Sequence, residues 1–296
     1  MSGARPAERP PWLRVRAPSG SGFDRVTDAI GRHGLRTVCR DAHCPNVGEC
    51  WGAGTATVIV LGPSCTRACA FCAVSHASPA PPDPGEPSRV AAAAAELRWS
   101  SLVVTSVTRD DLPDGGAGHF ARIVEALRGL QSPPQIELLV PDFGGCREAL
   151  RAVVDARPDV LAHNVETVPR LYPVVRPQAI YGRSLELLAR AHEMAPDLTL
   201  KSGLMAGFGE TREEVVAVLE DLFAAGCRSV TLGQYLPPGP GHVPVKEYLA
   251  PGAFADLADA ARRIGFTQVV SGPLVRSSYR PKAPPGGKPS ACSPGT

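Results

Sequence analysis

The sequence predicts an α/β protein built as a partial, TIM-like (β/α)6 barrel, and three observations predict it. Six apolar, strand-like runs alternate with helical stretches, the pattern of a parallel sheet with covering helices. Six such units are too few to close an eight-stranded barrel. The unusual residues gather immediately after the strands, at the end of a barrel where chemistry sits, and this favours the barrel over a doubly wound sheet.

Taken in order, residues 1–22 are rich in Pro, Arg and Gly and read as a flexible segment without a core of its own. Residues 23–54 form an N-terminal extension carrying Cys39, Cys44 and Cys50. The barrel is expected over 55–272, with strands at 55–62, 101–107, 135–142, 159–167, 199–209 and 229–236. Helices are expected at 90–99, 119–130, 147–156, 184–194 and 211–226, the last opened by Thr211 ahead of Glu213 and Glu214 and ended at Gly226. After the successive strands come CTRACAFC, TRDDLPDGG, PDFGG, HNVET, a KSG that interrupts the fifth strand, and GQYLPPGPGH. A C-terminal segment at 273–280 holds RSSY, and 281–296 reads as a disordered tail.

With 296 residues and 44% apolar content the chain has ample material for a buried core. A formal net charge of +2 argues against nucleic acid or an anionic membrane as partner. No apolar run reaches the ~20 residues of a membrane span, and no secretory core is present, so a cytoplasmic protein is expected. Arg5, Arg9, Arg14 and Arg16 suggest a transit peptide, but Pro6, Pro10 and Pro11 suit an amphipathic helix poorly.

Six of the nine cysteines fall between Cys39 and Cys72, in two triplets. In a reducing compartment such clustering points to metal ligands or catalysts rather than disulfides. Cys65-x3-Cys69-x2-Cys72 offers three thiolates, whereas a closed zinc site wants four ligands and would have to recruit His76. Three thiolates can instead hold three irons of a four-iron cluster and leave the fourth open to a ligand. Cys39-x4-Cys44-x5-Cys50 has a different spacing, so it is a separate group, and neither triplet has the bacterial ferredoxin layout. Cys146 and Cys227 read as small buried hydrophobes, Cys292 as incidental, and His33 and His43 as non-ligands.

The loop of Cys65, Cys69 and Cys72, with Phe71 inside it, resembles the radical S-adenosylmethionine (SAM) superfamily. Adding CPNVGECWGAGTAT, RDDLPDGGAGHF, HNVETVPRLYP, KSGLM, GQYL and SGPLVRSSYR, the chain resembles the lipoyl synthase family from Trp12 to Arg280. WLRVR belongs to that stretch, which weakens the transit-peptide reading. The resemblance implies a radical SAM partial barrel and a sulfurtransferase that inserts sulfur at C6 and C8 of an octanoyl chain on an acceptor-protein lysine.

It further implies two [4Fe-4S] clusters and SAM as cofactors. Cys65, Cys69 and Cys72 match the ligands of the SAM cluster, and Cys39, Cys44 and Cys50 match those of an auxiliary cluster that donates sulfur. Ser278 matches the auxiliary cluster's fourth ligand. An alkane C–H has no useful acidity, so acid–base side chains cannot activate it and a radical cofactor must. Implied partners are octanoylated acceptors (lipoyl domains of 2-oxoacid dehydrogenases and the H protein of glycine cleavage), a ferredoxin or flavodoxin reductant, and an iron–sulfur cluster carrier.

For SAM or substrate contacts the candidates are Gly115 and Gly116 as close-approach positions, Asn164 and Glu166 on one side of their strand, Arg176, and Lys201. The plainer readings are a turn for the glycines, a buried hydrogen-bonded pair for Asn164 and Glu166, and a structural salt bridge for Lys201. Two departures from the family stand out: PPGPGHVPV keeps His242 and Pro244 without the usual basic residues, and Thr108 replaces an acidic residue or asparagine. A biotin-synthase-like enzyme would lack the Cys39 group and RSSY. A non-catalytic iron–sulfur carrier would leave the strand-end motifs unexplained.

Overall fold

A computed structural model describes residues 9–15, 17–42 and 44–279. Residues 1–8 of the N-terminal segment, Arg16, His43, Arg280 and the tail with Cys292 lie outside the described residues.

The sheet has eight strands in chain order. β1 (Arg36–Thr37) runs antiparallel to β2 (Thr57–Val60). From β2 onward the strands are parallel: β3 (Ser101–Ser106), β4 (Gln135–Leu139), β5 (Val160–Ala162), β6 (Thr199–Ala206), β7 (Ser229–Gln234) and β8 (Gln268–Gly272). β1 and β8 are the two edges and do not pair, so the barrel stays open. All six expected strands are present, each shorter than its apolar run, and β1 and β8 are additional.

The N-terminal extension contributes α1 (Ser21–Arg32), α2 (Val38–Asp41) and α3 (Val47–Gly52). α1 therefore begins before residue 23, inside the stretch expected to be flexible. Its Val26, Ala29 and Ile30 are buried, and Phe23 stacks on the buried Trp51 of α3 at 5.1 Å. The crossovers hold α4 (Glu86–Leu97), α5 (Ala117–Arg128), α6 (Arg147–Asp155), the short α7 (Tyr172–Val175), α8 (Tyr181–Met194), α9 (Arg212–Ala224) and α10 (Pro251–Ile264). α9 starts on a full capping box: Thr211 accepts from the Glu214 N–H while the Glu214 carboxylate accepts from the Thr211 N–H at 2.8 Å. α10, absent from the sequence reading, buries Phe254, Leu257, Ala258 and Ala261 at helical spacing.

The alternation along each strand decides what the barrel can do. Val58, Val60, Leu102, Val104, Ile136 and Leu138 are fully buried beneath the helices. The opposite parity lines interior cavities with small or polar groups such as Thr57, Ser101, Glu137, Gly203 and Thr231. The interior therefore keeps cavities, which branched side chains such as Ile59 and Val103 line without filling.

Candidate functional site

The loop carrying the second cysteine triplet leaves β2 through an unusual turn. Leu61 has φ +67°, a conformation that a branched-chain L-residue holds only when its surroundings impose it. Both of its backbone polar groups are taken by charged side chains. Its N–H donates to the Glu86 carboxylate at 3.0 Å, and its carbonyl accepts from the buried Arg109 guanidinium at 3.0 Å. Glu86 is in turn met by His119 Nε2 at 2.7 Å, and Arg109 grips Asp111 through two bonds of 2.8 Å.

Beyond the turn, Arg67 stakes the loop from the inside. Its guanidinium, 8% exposed, donates to both oxygens of Asp110 at 2.7–2.8 Å and to both oxygens of Asp142 at 2.7–2.9 Å. Burial alone would raise the Asp142 carboxyl, but the Arg67 hydrogen bonds and charge outweigh it and hold the group down to about 2. TRDD and PDFGG, read from sequence as features of a barrel mouth, thus supply the anchors of the cysteine loop. Arg67 itself was not singled out, although an arginine inside a cysteine loop facing two acidic strand ends was the available signal.

The three thiols sit in a hydrogen-bonded frame. Cys65 Sγ receives the Arg67 and Thr108 N–H groups at 3.4 and 3.3 Å, so Thr108 acts through its backbone. Cys69 is raised by burial and lowered by Arg176, which hydrogen-bonds it. Burial pushes Cys72 up to about 11. His242 Nε2 lies 3.2 Å from the Cys72 carbonyl, so the PPGPGH segment braces this loop without its missing basic residues.

Cys72 borders a cavity of about 360 Å³ that also takes in Asn164, Glu166, Met205 and Arg276. Asn164 Nδ2 donates to Glu166 Oε1 at 3.0 Å, which leaves Asn164 Oδ1 buried without a partner. Glu166 has φ +65°, and burial raises its carboxyl against the opposing pull of Arg176. Arg176 Nη1 donates to the Asn164 and Val165 carbonyls at 3.1 Å, while its Nε is a second buried orphan. These three candidates are therefore drawn together beside Cys69 with donor and acceptor capacity to spare.

The first triplet lines a separate, narrower cavity with Ser278, Tyr279 and, again, Arg276. Cys39 sits in α2 and Cys50 in α3, with Cys44 between them, its N–H donating to the Cys39 carbonyl at 3.0 Å. Burial and mutual repulsion push Cys50 up to about 12. The C-terminal segment reaches this cavity because two contacts thread it there. Asn46 Nδ2 donates to the Leu274 carbonyl at 2.7 Å, and Gly233 lets the chain cross β7 so closely that a Cβ would stand 2.1 Å from the Val275 carbonyl oxygen. Ser277 faces the large cavity and Ser278 the narrow one, so RSSY divides the two.

The remaining candidates lie elsewhere. Lys201 sits near the start of β6, where its Nζ donates to Glu137 Oε1 at 2.7 Å in a buried ion pair bordering a third cavity at the strands' N-terminal ends. It is not part of the Cys72 cavity, and the salt-bridge reading is the one observed. Gly115 and Gly116 also stand outside that cavity's lining. A Cβ at Gly116 would fall 2.3 Å from Leu61 Cδ1, and one at Gly115 would fall 3.1 Å from the Phe143 ring, so packing accounts for both glycines. Cys227 is buried, and Cys146 accepts the Ala149 N–H as the cap of α6. Among the described residues no cysteine forms a disulfide, and no three His, Cys, Asp or Glu side chains converge on a single-ion position. The thiolates of a four-iron cluster each bind a different iron and stand farther apart than the ligands of one ion.

The radical SAM superfamily profile matches residues 59–222. A lipoyl synthase of Anaeromyxobacter sp. is 53% identical over 278 residues, covering 93% of this chain and 94% of the relative. One from Alkaliphilus metalliredigens is 49% identical over 271 residues, covering 92% and 93%. Among solved structures, methylornithine synthase (PylB) superposes with a TM-score of 0.54 at 14% identity over 88% of each chain, which is a likeness of fold alone.

Proposed function

The chain belongs to the lipoyl synthase family of the radical SAM superfamily, and from that premise we propose that it inserts two sulfur atoms, at C6 and C8, into an octanoyl chain carried on an acceptor-protein lysine. One observation carries the reading. Cys39, Cys44 and Cys50 line a single cavity with Ser278, and RSSY separates that cavity from the one bordered by Cys72. A carrier of clusters or electrons has no need of a shared wall between a cysteine site and a large hollow barrel interior.

The residues fit the groups the family implies. Cys65, Cys69 and Cys72 would hold the SAM-site cluster, and Cys39, Cys44, Cys50 and Ser278 a second one. The orphaned Asn164 Oδ1 and Arg176 Nε, beside the raised Glu166 carboxyl, match a ligand that brings both an ammonium and a carboxylate, as SAM does. When bound, these groups supply a radical able to take hydrogen from an unactivated carbon, and sulfur to replace it.

The chain's own contribution is position and exclusion of water. Phe71, Leu204, Leu236 and Val275 give the large cavity an apolar wall suited to an acyl chain, and the N-terminal residues Leu13 and Val15 close part of it. Holding the carbon between the two cysteine sites supplies proximity, and a dry cavity protects a reactive intermediate. Ser278 is a harder ligand than thiolate, and its release would let the second cluster open. Octanoylated lipoyl domains are the proposed substrates, served by a ferredoxin or flavodoxin reductant and a cluster carrier. No helix among the described residues is long and apolar enough to cross a membrane.

The test is anaerobic reconstitution followed by incubation with SAM, reductant and an octanoyl-lysyl peptide. About eight irons per chain, in two four-iron clusters, are expected. Iron near four would leave the first triplet without a role and overturn the reading.

A further inference from the structure

Arg276 stands in the wall between the two cavities and borders both. Its Nη1 donates to the Val275 carbonyl at 2.7 Å and to the Gln234 carbonyl at 3.3 Å. Among the described residues no carboxylate lies within ion-pair distance of it. It shares the lining of the narrow cavity with Cys39, Cys44, Cys50 and Ser278.

A guanidinium half-buried in the wall with no anion beside it is costly, and arginine cannot escape by giving up its proton. The fold nevertheless fixes it there. The Gly233 close approach and the Asn46 bond to Leu274 hold the backbone of the segment from both sides, and the bonds to the Val275 and Gln234 carbonyls hold the guanidinium against the wall. What faces it is a set of three thiols and a serine, acidic groups that gather negative charge together once they bind metal.

We propose that Arg276 is a positioning residue for the auxiliary site, the fixed countercharge that holds the ligand set of Cys39, Cys44, Cys50 and Ser278 and sets the redox potential of the cluster bound there. The assignment rests on the reading that this cavity holds an iron–sulfur cluster. Cluster potentials follow net charge, hydrogen bonding to sulfur and solvent exposure. Removing a unit of positive charge from the wall stabilises the oxidised, less negative state and shifts the potential downward.

The experiment isolates the auxiliary site in a chain carrying Cys65→Ala, Cys69→Ala and Cys72→Ala, then adds Arg276→Met or Arg276→Lys. The midpoint potential is read by redox titration followed by electron paramagnetic resonance. Arg276→Met should shift the midpoint to more negative values, with Arg276→Lys lying closer to the parent. Loss of the cluster in the Met variant with retention in the Lys variant would support the same assignment. An unchanged midpoint in Arg276→Met, or loss of the cluster from both variants, would overturn it. Absence of a four-iron cluster from the parent itself would overturn the reading of the cavity, and the assignment of Arg276 with it; a cluster present in the parent with an unmoved midpoint in Arg276→Met would overturn the assignment alone.

Discussion

Replacing Arg67 with methionine tests whether the cysteine loop is held by a buried charge clamp. The substitution keeps the aliphatic stem and removes hydrogen bonds to Asp110 and Asp142. Asp142 is 2% exposed at its side chain, so its carboxylate would be left in the interior with Arg183, at 3.5 Å, as its remaining cation. Its displacement from 3.8 to about 2 corresponds to roughly 2.5 kcal/mol at neutral pH. Removing one partner of a buried pair costs about 3–5 kcal/mol, and the residual Arg183 contact places the expectation at the lower end of that range. Urea unfolding of the reduced apoprotein measures it. Adding Asp142→Asn to Arg67→Met should recover part of the loss by neutralising the stranded charge. A single variant within about 0.5 kcal/mol of wild type, or a double variant in which both costs simply add, would refute the clamp.

His163 is fully enclosed, with Nδ1 2.8 Å from the Val140 carbonyl and Nε2 2.9 Å from the Ser184 hydroxyl, and burial holds it down to about 4. The unfolded chain therefore binds the extra proton first as pH falls. Its contribution is complete above about 6.5, and roughly 3 kcal/mol should be lost on titration down to about 4; a His163→Gln variant lacking that slope checks the assignment. Gly233→Ala should displace the C-terminal segment, because its Cβ would meet the Val275 carbonyl, and iron analysis should show the second cluster lost with the first retained. Cys69→Ala should abolish formation of 5′-deoxyadenosine, whereas Cys44→Ala should retain some SAM cleavage and transfer no sulfur. Product analysis by mass spectrometry distinguishes them, and loss of both activities in both variants would contradict two separable sites.

Much of the fold was legible because strands buried beneath helices read as apolar runs and capped helices announce themselves, as Thr211 and Glu214 do. β1 is two residues long and gives no periodic signal, and β8, QVVSG, is a five-residue edge strand with one short apolar pair. Spacing separated the cysteines into two triplets and resemblance added Ser278 to the first, and the structure brings Cys39, Cys44, Cys50 and Ser278 to one cavity. Lys201 was misread because sequence shows a charge within an apolar strand but not which end of the barrel it occupies, nor that Glu137 faces it. The glycines after TRDDLPD were assigned to a ligand because sequence does not show the Phe143 ring packed on Gly115, nor the left-handed turn that brings Leu61 against Gly116 and depends on charges supplied by α4 and the β3 loop. Arg276 showed no special character until its neighbours from both ends of the chain were known.

The most direct measurement loads the second site with isotopically labelled sulfide and follows the label into an octanoyl-lysyl peptide during a single turnover with SAM and reductant. Labelled sulfur at both C6 and C8 is the result expected if the cavity of Cys39, Cys44, Cys50 and Ser278 is the sulfur source. A doubly thiolated product free of the label would contradict it.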